Sequence, residues 1–115
     1  MTGRQYLFCI QNAAAYADPD TYVSDLSTIS IWGDAETGTI PTDRLDALRE
    51  IYTACHRTVR EISAAAGLSN RKLAERFGVP YRTMEDWSRG ARVPPIATCL
   101  MMQECLGLYR PPVTL

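Results

Sequence analysis

The sequence lacks most of what would assign it a chemistry. It has one histidine, His56, directly after Cys55. Adjacent helical residues do not face one another, so a Cys-His dyad is not expected. The four cysteines, Cys9, Cys55, Cys99 and Cys105, form no C-x-x-C, and no pair has the histidine at metal spacing. They read as small apolar core residues of a protein in a reducing cytoplasm, and neither metal nor cofactor is expected. There is no glycine-rich phosphate loop, no nucleophile beside a base and no pair of carboxylates set apart on one face, so an enzyme is not expected. No apolar run reaches membrane length, and no basic segment leads into an apolar one at the start. Neither a membrane span nor a signal peptide is expected. Internal repeats and low-complexity stretches are missing too.

Net charge is also scarce: −1 over 115 residues, so no global basic field announces nucleic acid. The distribution says more. Residues 1–41 hold one arginine against five acids, a balance of −4. Residues 42–115 hold eleven basic residues against eight acids, +3, and residues 57–92 eight against four, +4. An acidic first third and a basic segment behind it point the latter toward an anionic partner. The hydrophobic content of 46% is that of a folded chain. The length suits one domain, or one domain with an arm.

Patterning predicts an all-α protein. Leu7, Ile10, Ala14 and Ala17 share a stripe in residues 4–17. Asp18 then Pro19 read as an N-cap and a first helical residue, followed by Tyr22, Leu26 and Ile29 at i, i+4 and i+7. The β-branched alternation over residues 28–32 permits a short strand, with Trp32 anchoring the arm to the core or meeting a partner. Residues 33–41, GDAETGTIP, read as a loop. Leu45, Leu48, Ile51, Tyr52 and Cys55 stripe a helix from Thr42. Thr58 and Glu61 form a capping-box pattern, so a break near Arg57 and a restart at Val59 are favoured over one helix to Ala66. Val59, Ile62, Ala66 and Leu68 pack the restarted helix, with Gly67 ending it. Ser69 caps the next. Pro94 and Pro95 open a last helix, dense in apolar residues, that stops at Gly107. The boundaries drawn are an acidic helical arm over 1–41, a principal domain over 42–108 and an extended tail over 109–115.

The most informative stretch is residues 70–90, NRKLAERFGVPYRTMEDWSRG. Leu73 and Phe77 share a face, beside the small Ala74. Gly78 supplies a left-handed turn, Pro80 is pre-set for a first helical turn, and Met84 and Trp87 recur on one side. This spacing resembles the helix-turn-helix of the Xre/Cro repressor family. The resemblance extends upstream through TVREISAAAGLSN and downstream through DWSRGARVPPIATCLMMQECLGL, about residues 58–108.

The resemblance implies a lambda-repressor-like helical bundle with an additional N-terminal helical segment. It implies a sequence-specific regulator, a homodimer on double-stranded DNA with helix 80–89 in the major groove, as in phage repressors, mobile-element regulators and antitoxins. Tyr81, Arg82 and Asp86 match the family's base-reading positions, and Asn70 matches its bridge between a phosphate and the recognition helix. Arg71, Lys72, Thr83, Arg89 and Arg92 are the expected phosphate and positioning contacts. Pro80 departs from the family by standing where Ser or Thr commonly caps, and Glu85 and Asp86 put two acids on the helix that would meet DNA. Those acids favour an alternative: a protein-binding adaptor or inhibitor from a mobile element that keeps the fold, with the acidic arm as its working surface.

Overall fold

A computed structural model describes residues 1–33 and 40–113. Among them are seven α-helices, one turn of 3-10 helix and no strand, so the protein is all-α. The expected loop over 33–41 falls mostly on residues 34–39, outside those described. The chain divides into two compact units: Met1–His56 with Pro111–Leu115, and Arg57–Arg110. The second is therefore an insertion in the first, which the chain leaves at His56 and rejoins at Pro111. The boundary expected at residues 41/42 lies inside the first unit. Helix 42–56 packs on the N-terminal helices, because its apolar stripe is shared with theirs.

In the first unit, α1 (Gly3–Ala13) begins on a capping box in which Thr2 and Gln5 satisfy each other's backbone donors. α2 (Pro19–Leu26) begins as expected, with Asp18 as N-cap and Pro19 in the first turn. α3 (Thr42–His56) lies against both. Tyr22 is the buried centre. Its hydroxyl donates to the Cys9 carbonyl at 2.8 Å, and its ring meets Tyr16 at 5.6 Å and Tyr52 at 5.2 Å. Tyr52 in turn stacks on His56 at 4.0 Å, and the His56 Nε2 bonds the Ala13 carbonyl. His56 thus has a structural place, and burial pushes the thiol of the core residue Cys9 up to about 11.

The possible strand at 28–32 is instead the 3-10 turn Ser30–Trp32. An isolated extended segment leaves its backbone groups unpaired. Here the turn closes on Gly33, and the Trp32 Nε1 donates to the Leu26 carbonyl at 2.7 Å. Arg44 from α3 lies 4.5 Å over the Trp32 ring, so this tryptophan is fastened within the first unit. The returning segment joins it through the Met1 ammonium, which donates to the Pro112 carbonyl.

In the second unit, α4 (Val59–Ala66) opens on the Thr58–Glu61 capping box, which breaks the chain at residues 57–58 as favoured. α5 (Asn70–Phe77) is capped by Ser69 and ends at Gly78 with φ of +65°, a conformation that costs any side chain with a Cβ. α6 (Tyr81–Arg89) starts one residue after Pro80, which serves as N-cap: its carbonyl accepts the first helical bond, from Met84. α7 (Ile96–Cys105) follows Pro95. The core is Val59, Ile62, Leu73, Ala74, Met84, Cys99 and Met102, with Phe77, Val79 and Trp87 packed at its margin. α6 lies against both α4 and α5.

Candidate functional site

The site is the outward side of the pair α5–turn–α6. Two anchors set its orientation. Met84 is fully buried and Trp87 packs on the same core, so one side of α6 is committed inward. At 100° per residue Arg82 and Arg89 fall opposite this side and Tyr81 at its edge, and all three are exposed. Asn70, Arg71 and Lys72 make up the first turn of α5. Arg71 and Lys72 are exposed, and Asn70 and Thr83 half-buried.

The turn brings the starts of the two helices together. Arg71 of α5 places its guanidinium carbon 4.4 Å from the centre of the Tyr81 ring, within cation–π range. The Tyr81 hydroxyl donates to the Glu85 Oε1 at 2.6 Å, one turn along α6. That bond to a carboxylate raises the phenol's pKa and keeps it a neutral donor. Arg71 donates no hydrogen bond among the described residues, and Arg82 has neither an acid nor an acceptor there.

The far end of α6 is arranged differently. Asp86 has a side chain only 14% exposed. Its Oδ1 meets the Arg89 Nη2 at 2.6 Å and its Oδ2 the Arg92 Nε at 3.9 Å. Its backbone carbonyl accepts from the Ala91 and Arg92 N–H groups, which folds the chain back over the helix end. Both arginines keep well-exposed side chains, at 63% and 71%. In this arrangement Asp86 holds two cations, and its carboxylate is committed along the protein surface.

The nine residues singled out from sequence thus fall into two neighbourhoods on one helix pair. Asn70, Arg71, Lys72, Tyr81, Arg82 and Thr83 lie at its start, and Asp86, Arg89 and Arg92 at its end. The Arg71–Tyr81 contact has no signature in sequence, because it crosses a turn between residues ten apart. The Tyr81–Glu85 bond does have one, at i, i+4. No group of metal-ligating side chains occurs among the described residues, and no helix there is long and apolar enough to cross a membrane. By charge the second unit carries nine basic residues against five acids, +4, and the first unit three against eight, −5. No protein-family model matches the chain, nor does any curated protein or solved structure.

Proposed function

We propose that this chain is a sequence-specific DNA-binding protein that regulates transcription, with α6 in the major groove, acting as a homodimer on a two-fold-symmetric site. The observation that carries the reading is the inward anchoring of Met84 and Trp87, which leaves Arg82 at the start of α6 without a partner among the described residues, next in the chain to the Tyr81 ring that Arg71 overlies. A helix about 10–12 Å across fits a groove about 12 Å wide. A guanidinium fork at its first turn matches the O6 and N7 of guanine. Lys72, Arg89 and Arg92 supply phosphate contacts, and the +4 balance of the unit supplies attraction. The extent of the family-like register, residues 58–108, falls within the unit Arg57–Arg110, which supports treating that unit as the binding module.

The test is selection from a random duplex library, followed by anisotropy titrations at roughly 50 and 200 mM salt. Selective binding that weakens with salt and is lost in Arg82→Ala is the expected result. Failure of the wild type to enrich any sequence overturns the proposal.

A second reading, a protein-binding adaptor, rests on the first unit. It carries the −5 balance, and beside α1 lies an open groove of about 590 Å³ lined by Arg4, Leu7, Phe8 and Ile31 among others, with Leu7 55% exposed. Deleting the negative charges of this unit without effect on DNA selection, but with loss of a co-purifying protein, would favour it.

A further inference from the structure

Of the four arginines Arg71, Arg82, Arg89 and Arg92, two are tied to Asp86 and one, Arg82, has no partner among the described residues. The fourth, Arg71, is in neither state. Its head lies over an aromatic face, and its donors are not taken up by any described residue. We propose that Arg71 reads a guanine in the major groove, with Tyr81 as the platform that aims it and Glu85 as a positioning residue that holds the platform. This rests on the DNA-binding reading given above and adds to it one base contact and its chemical target.

The two partners open to an arginine on DNA make different demands. A phosphate accepts from many directions and tolerates a flexible cation, whereas a base edge demands two donors at a fixed spacing and angle. Seating the guanidinium over a ring removes freedom from a side chain that otherwise loses rotamer entropy when it is fixed, while its N–H donors are not taken up by any described residue. Arg71 is therefore prepared for the demanding partner. The platform is itself fixed. Tyr81 opens α6 between the Pro80 cap and Arg82, and its hydroxyl is held by Glu85 at 2.6 Å. Both of its handles are occupied, the ring by Arg71 and the hydroxyl by Glu85, so Tyr81 is better suited to support than to reading. The arrangement also gives Glu85 a task. It pairs with no cation among the described residues, and its charge is spent on a hydroxyl that would otherwise let the ring swing. Lysine cannot replace Arg71 here, because an ammonium has neither the planar face nor the fork.

The experiment uses the full chain and the duplexes that the wild type enriches. Selection is repeated with Arg71→Lys, Arg71→Ala, Tyr81→Leu and Glu85→Gln. Binding is then measured with 7-deazaguanine, which lacks the N7 acceptor, at each conserved guanine in turn. Loss of preference at one G·C pair, by about ten- to a hundred-fold, is expected in Arg71→Lys, Arg71→Ala and Tyr81→Leu alike. Glu85→Gln should give a smaller loss at the same pair. 7-Deazaguanine at that pair should weaken the wild type and leave Arg71→Lys unaffected. Uniform weakening of all sequences by Arg71→Ala, restored by Arg71→Lys, would make Arg71 a phosphate contact and overturn the inference while leaving the DNA-binding reading intact. Absence of any enrichment by the wild type would remove both.

Discussion

Asp86 illustrates how a residue's neighbours decide what it does. In sequence it is an acid on the outward side of a recognition-like helix. In the fold, one oxygen meets Arg89 and the other Arg92. Asp86→Asn should therefore release two cations and remove one negative charge. Affinity for unselected duplex is expected to rise, and the ratio of selected to unselected binding to fall by several-fold, read by anisotropy on both duplexes. An unchanged ratio would mean that the clamp does not aim the arginines. Met84 is the inward counterpart. It is fully buried at the centre of its unit's core, so Met84→Ala should cost about 2–5 kcal/mol, measured by urea unfolding. A small unit has little stability in reserve, so the substitution is expected to melt it near room temperature.

At the scale of the element, helix ends are fixed by single residues. Gly78 takes φ of +65° between α5 and α6, and Gly78→Ala should cost about 1–2 kcal/mol through backbone strain alone, since open space surrounds the added carbon. Two caps titrate. The Asp18 carboxylate is held below its ordinary value first by the Thr21 backbone N–H, and that of Glu61 first by the Thr58 backbone N–H. A depressed folded pKa gives stability that is present above the unfolded value and lost as pH falls through the folded one. Acidification from pH 7 to pH 3 should therefore lower the melting temperature, and the double variant Asp18→Asn, Glu61→Gln should lose less over the same range. Circular dichroism melts at the two pH values check this.

These caps, the helix break at Arg57 and the glycine turn were legible in sequence because each is written within four residues of itself. The 3-10 turn at Ser30–Trp32 was not. Its β-branched alternation resembles a strand until the absence of a pairing partner is known, and that is a long-range fact. Helix 42–56 was legible as a helix but not as a member of the first unit, since Leu48, Ile51 and Tyr52 announce a buried face without naming what covers it. The nine candidate residues could be chosen by register, whereas the stacking of Arg71 on Tyr81 depends on the angle of a turn.

At the scale of the whole molecule, the two units have separate cores. Leu48→Ala, in the first, should strip hydrogen-exchange protection from α1–α3 while α4–α7 retain theirs. Equal loss across all seven helices would show a single cooperative block instead. The same division has a consequence for the order of events during synthesis. The insertion Arg57–Arg110 is one continuous run, so none of its internal contacts reaches outside that run. The first unit is closed by a bond whose partners, Met1 and Pro112, stand 111 residues apart. Local contacts form early and distant ones late. On a translating ribosome, the helices α1–α3 emerge before the inserted unit, and their shared core is complete once His56 is made. The bond between Met1 and Pro112 closes only after the inserted unit has been made, so the strap joins the first unit after the unit that interrupts it.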